Sequence, residues 1–198
     1  MSSATTDPTI DKLLTFWFDG PGNERWFGQN DELDDQIRTE FGNHVARART
    51  LELDHWTEDP RGSLALIILL DQFSRNIYRG TPDSFNADPK ALDMTTKAVA
   101  KGFDKQVPLV QQMFFYLPFM HHEGLLGQIA GLALYEGFVT RCDVDPRARE
   151  AAVRAVAFAK QHLDVILRFG RFPARNKAIG RASTPEEEAF LKDHPYGL

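Results

Sequence analysis

A single cysteine, Cys142, stands among 198 residues, which excludes an intrachain disulfide and points to a reducing compartment. Long apolar runs are missing too. Leu64 to Leu70 holds seven apolar residues, well below the roughly 20 that a membrane-spanning helix requires. Met1 to Asp11 has no basic region followed by an apolar run, so nothing there reads as a secretory signal. Positive charge is in deficit: 23 Lys and Arg against 28 Asp and Glu leave a net charge of −5, whereas a general nucleic-acid binder wants a basic surface. Strict apolar alternation and Asn-Gly hairpin dipeptides are absent, which argues against β structure. There is no Gly-x-Gly-x-x-Gly, Walker loop, Gly-x-Ser-x-Gly elbow, His-Glu-x-x-His, cysteine pair or aspartate-rich loop. The expectation is a cytoplasmic, soluble protein without membrane or nucleic-acid partner, metal or cofactor.

What the chain does contain is helix. A hydrophobic share of 42% and a charged share of 26%, with 15 Phe and 3 Trp, suit one globular domain over residues 1–198. Asp7-Pro8, Asp59-Pro60, Asp88-Pro89 and Asp145-Pro146 each place a capping carboxylate before a proline at the first helical position. Thr184-Pro185 with Glu186, Glu187 and Glu188 is a fifth start, its acids placed where the helix dipole favours them. A first helix is expected over Pro8–Phe18 with Ile10, Leu13, Leu14 and Trp17 inside, followed by a Trp26-Phe27 anchor. A second begins near Asn30 with Leu33, Ile37, Phe41, His44 and Val45 at helical spacing. A helix over Pro89–Lys101 buries Leu92, Val99 and alanines. One after Pro108 is expected to break or kink at Pro118. Leu125–Val139 is apolar nearly all round, as in a helix buried from several sides. Pro146–Phe169 carries the stripe Ala151, Ala155, Phe158, His162, Val165, Ile166 and Phe169.

Leu64 to Arg79, LALIILLDQFSRNIYR, organises the rest. Read as a helix, it sets Leu64, Ile68, Asp71, Arg75 and Arg79 on one face, with Gln72 and Asn76 beside them. An apolar face that turns into Asp-Arg-Arg needs partners elsewhere, because buried unpaired charge is costly. Arg168 to Arg181, RFGRFPARNKAIGR, has five basic residues and no acidic one. Arginine forks fit carboxylate or phosphate, so Arg168, Arg171 and Arg175 suggest an anion site, with Asn176 beside them. The alternative is that they pair with Asp71, Glu123 or the C-terminal acids. His121-His122-Glu123 and His162 suit acid–base work near neutral pH. Against that, His162 lies on an apolar stripe, where a histidine often only bonds backbone.

The segments LALIILLDQFSRNIYRGTPDSF, FFYLPFMHHE, HLDVILRFGRFPARN and IGRASTPEEEAFL, with the early LLTFWF, resemble domain-of-unknown-function family 924, a mainly bacterial family of small helical proteins. The resemblance implies antiparallel helix pairs in a tetratricopeptide-like right-handed array of about eight helices, and no established activity. Asp71, Gln72, Arg75, Asn76 and Arg79 match its first motif, with Ser74 where proline is usual. His121 and Glu123 match the second, with His122 where serine is usual. His162, Arg171, Phe172, Pro173, Arg175 and Asn176 match the last, with Ala174 in place of histidine. That departure either tells against an enzyme or moves an acid–base role to His121 or His162. Three readings follow: a binder of a small anion or acidic peptide end through its arginines; a cofactor-free enzyme using His121, Glu123 and His162; or an interaction protein acting through an oligomer surface.

Overall fold

The structure, a computed structural model, describes residues 7–20, 26, 28–142 and 146–194. It is all-α, with no strand among the described residues. α1 spans Pro8–Phe18 and α2 Asp31–Arg49. Asp7 and Asn30 cap them, accepting from the Thr9 and Leu33 amides at 2.9 Å each. α3 (Pro60–Ile68) follows a short 3-10 turn at Asp54–Glu58 and is capped by Asp59, which accepts from the Arg61 and Gly62 amides. A Cβ at Gly62 would stand 2.3 Å from the Trp56 carbonyl oxygen, so only glycine lets the chain enter α3 here.

α3 does not stop at Ile68. It widens into a π-helical turn, Leu69–Phe73, and continues as α4, Ser74–Ile77. Ser74 Oγ donates to the Leu69 carbonyl at 3.2 Å, adding a side-chain bond across the wider turn. Every residue from Gly62 to Ser74 is buried. Around this rod lie α1, α5 (Asp88–Ala100) and α6 (Leu109–Met120), with α2 against the π-turn and α4. Aromatic rings lock the join: Phe73 meets Trp17 edge-on at 5.3 Å and Phe41 at 5.2 Å.

α7 (Leu125–Arg141) packs along α8 (Pro146–Phe169) and α6. Leu109 and Met113 of α6 share a cavity wall with Ala148 and Ala151 of α8. At their far ends His121 meets His162. α6 and α8 therefore run in the same sense, with α7 returning between them. A 3-10 turn at Pro173–Arg175 and α9 (Pro185–Asp193) complete the chain. Thr184 and Glu187 form a reciprocal capping box at the start of α9. No helix is long and apolar enough to cross a membrane among the described residues.

Several sequence expectations need correction. α5 begins at Asp88 itself, with Ala87 as its cap residue, so the Asp88 carboxylate is free for other use. Asp145 and Phe27 lie outside the described residues. Pro118 does not break α6, which runs on to Met120. α7 is buried on one side only, through Gln128, Gly131, Tyr135 and Phe138, while Leu125, Leu126 and Ile129 are exposed. Within α5 the buried positions are Ala91, Met94, Thr95 and Ala98; Leu92 and Val99 are half-buried. On α8 the buried stripe turns toward Ala152, Ala155, Ala159, Val165 and Ile166, leaving Phe158 half exposed.

Candidate functional site

The site forms where the π-turn, the end of α6, the start of α5 and the 173–175 turn converge. Asp71 sits in the π-turn, buried on all sides. Its Oδ1 lies 2.7 Å from His121 Nδ1 and 3.0 Å from Arg75 Nη1. Gln72 donates to its other oxygen. Arg75 also donates to the Asp71 carbonyl at 2.9 Å and reaches Asp88 at 3.0 Å. Asp88 Oδ2 accepts a second arginine, Arg175, at 3.1 Å. Arg175 donates in turn to the His121 carbonyl at 2.7 Å. Its guanidinium lies between the Phe85 and Phe172 rings, 4.6 and 4.8 Å from their centroids. The two arginine-bearing segments thus meet, through Asp88.

His121 follows the last residue of α6. Its position is set by Gln128, whose buried amide donates to the Met120 carbonyl at 2.7 Å and to the His122 carbonyl at 2.5 Å. His162 approaches from α8, with its ring centroid 6.4 Å from that of His121. His162 Nδ1 bonds the Phe158 carbonyl at 2.8 Å, and the ring meets Phe172 edge-on at 5.5 Å.

These contacts fix protonation. Burial alone would raise the Asp71 carboxyl, but Arg75, then His121, outweigh it and hold it well below the usual carboxylate range. Burial, then Arg75, lowers His121 despite the opposing charge of Asp71. The pair is therefore an ionised Asp71 with a neutral His121 that donates from Nδ1, which leaves Nε2 as an unprotonated base. Burial lowers His162 to about 4. Its Nδ1 must donate to a carbonyl, so its Nε2 is likewise basic.

The remaining sequence candidates lie elsewhere. α4 ends at Ile77, so Arg79 lies past its end, pairing with Asp34 at 2.7 and 3.0 Å. Asn76 donates to the same carboxylate at 2.6 Å. Arg168 pairs with Glu186 on the surface, and Arg171 with buried Glu187 at 2.6 and 2.8 Å. Asn176 donates to Ser183 and Glu187 and accepts from Arg181. Glu123 is held by Arg181 at 2.7 and 2.8 Å and by the Phe172 amide at 2.9 Å. It fastens the 172–181 segment to the end of α6, and its bonds here go to those groups, not to either histidine. The alternative pairing read from the sequence thus describes Arg168, Arg171 and Arg181. Asp88, Arg181, Phe85 and Gln128 were not singled out as site residues; Asp88 carried a signal that reads as a helix cap. Among the described residues no three His, Cys, Asp or Glu side chains form a metal-ligand set. Arg75 and Arg175 beside the imidazoles would oppose a cation.

An all-helical chain with this buried Asp-His-Arg centre belongs to the family described as "Bacterial protein of unknown function (DUF924)", which matches residues 13–194. It is similar in structure to a protein of unknown function, ATU0120 of Agrobacterium tumefaciens. The two are 33% identical with a TM-score of 0.84, over 96% of this chain and 99% of that one. No curated protein matches.

Proposed function

We propose that the centre is a cofactor-free acid–base site acting on a small anionic molecule, with His121 Nε2 as general base, Asp71 as its positioning residue and Arg175 as the anion anchor. The single observation that carries this reading is the 2.7 Å contact between Asp71 Oδ1 and His121 Nδ1, which fixes one tautomer. A carboxylate so placed orients the imidazole and stabilises it when it takes a proton.

Charge separates Arg175 from its neighbours. Arg75 is raised despite burial by Asp71 and Asp88, and Arg79 and Arg171 by bonds to Asp34 and Glu187. Arg175 is lowered, by burial first and then by Arg75, so its charge is under-balanced. Two of its five N–H groups serve Asp88 and the His121 carbonyl, and others remain for a ligand. His162, lowered to about 4, stays neutral beside His121 and adds no competing positive charge. The family histidine missing at Ala174 is not required for this arrangement.

The test is a thermal-shift and turnover screen of small anionic metabolites against wild type, His121→Asn and Arg175→Ala. A ligand at a hundredfold its Kd adds about 2.7 kcal/mol of stability. Arg175→Ala is expected to lose that shift, and His121→Asn to keep it while turnover falls about 10²–10⁴-fold. Screening with no stabilising anion, or variants that behave as wild type, would refute the reading.

A further inference from the structure

The surroundings of Arg175 select among anions. The Phe85 and Phe172 rings lie over its guanidinium, with Cζ 4.6 and 4.8 Å from their centroids. Phe85 also reaches Arg75, at 5.9 Å. An anion is thereby steered into the plane of the Arg175 guanidinium, away from its faces. In that plane Nη1 serves Asp88 and Nη2 serves the His121 carbonyl, which leaves the Nε–H and one N–H on each terminal nitrogen. The side chains of Arg175 and His121 are 14% and 17% exposed, so both reach solvent from within the fold. Arg175 donates to the carbonyl of His121 itself, so anchor and base lie little more than one residue's span apart.

Resting on the acid–base reading, we infer that the substrate is a short monocarboxylate: its carboxylate lies edge-on to Arg175 between Phe85 and Phe172, and the proton taken by His121 sits a few bonds away. That proton passes to Nε2, and its bonding pair stays on the substrate atom. Shape supports the carboxylate. Its two oxygens match two neighbouring N–H groups in one plane. A tetrahedral sulfonate or phosphate that forks through two oxygens turns its other groups out of that plane, toward phenyl rings that offer no donor, and desolvation there goes uncompensated. Charge supports the monoanion. Arg75 and Arg175 are already balanced by Asp71 and Asp88, so a carboxylate adds one negative charge where a phosphate ester adds nearly two.

The experiment titrates acetate, propionate, methanesulfonate and inorganic phosphate into the full chain and follows the ring resonances of His121 and His162 by NMR. The two carboxylates are expected to bind about tenfold tighter than phosphate and than methanesulfonate, which carries the same charge on a tetrahedral group. Arg175→Lys keeps the charge without the fork and is expected to bring the four anions to similar affinity. Phe85→Ala uncovers one face of the guanidinium and is expected to admit methanesulfonate while acetate binding holds, a readout that stands should the lysine disturb folding. Methanesulfonate that binds wild type as tightly as acetate overturns the edge-on carboxylate, and phosphate that binds tighter overturns the monoanion; either leaves the acid–base site standing. A carboxylate preference unchanged in both variants overturns the placement at Arg175. Histidine resonances that no anion moves overturn both readings.

Discussion

Asp88 accepts hydrogen bonds from Arg75 and Arg175, residues 13 and 87 positions away in the chain. That one carboxylate joins the central helix to the turn after α8 and keeps two buried cations from facing each other unscreened. Removing one member of a buried pair strands the other, at about 3–5 kcal/mol. Asp88→Ala leaves Arg75 with Asp71, and Arg175 with no direct carboxylate partner, only the charges of Glu123 and Asp71 near it. It is expected to lie at the top of that range, and chemical denaturation of variant and wild type measures it.

Asp71→Asn is expected to cost about 3 kcal/mol, the lower end, because Arg75 keeps Asp88. Arg175→Ala is expected to cost less than Asp71→Asn and to abolish stabilisation by an added carboxylate. Melting the two side by side, with and without the anion, decides both points. An Asp71→Asn protein that melts like wild type contradicts the buried pair.

Glu123 and Arg181 form a bidentate bridge that also holds the Phe172 amide. Glu123→Gln and Arg181→Met are expected to be strongly non-additive, with a coupling of about 1–3 kcal/mol in a double-mutant cycle. Additive losses would show that the two side chains act separately.

The pH dependence has a definite sign. His162 is held at about 4 in the fold, chiefly by burial, against about 6.5 when unfolded. Between these values the unfolded chain binds more protons, so stability falls as pH drops from 6.5 toward 4. The depression is worth roughly 3 kcal/mol, fully present above 6.5 and lost at acid pH. Asp71, also depressed, adds a loss in the same direction at lower pH. His162→Asn, which can still donate to the Phe158 carbonyl, is expected to reduce the slope between pH 4 and 6.5, the remainder belonging to His121 and His44, which burial also lowers. An equally steep slope in the variant would assign the effect to other groups.

The helices were legible because their starts are local chemistry: Asp7, Asp59 and Thr184 cap as their neighbours dictate. The inward pull of Asp71 was also legible, from the leucines before it. Arg79 was not, since grouping it with Asp71 assumed an unbroken 3.6-residue period, and neither the π-turn nor the helix end at Ile77 is written in the hydrophobic pattern. Asp88 misled for a related reason. An Asp-Pro pair reads as a cap, yet here the helix starts one residue early and two distant arginines claim the side chain. The one-sided burial of α7 depends on which helices flank it, which periodicity alone does not encode.

The central claim is that burial and Arg75 hold His121 neutral while Asp71 fixes its proton on Nδ1, leaving Nε2 as a free base. Imidazole ¹⁵N NMR across a pH titration tests it directly. The expected result is the Nδ1-protonated tautomer at neutral pH, a pKa below the ordinary 6.5, and loss of the tautomer preference in Asp71→Asn. A His121 that is charged at neutral pH, or that carries its proton on Nε2 in the wild type, would contradict the account.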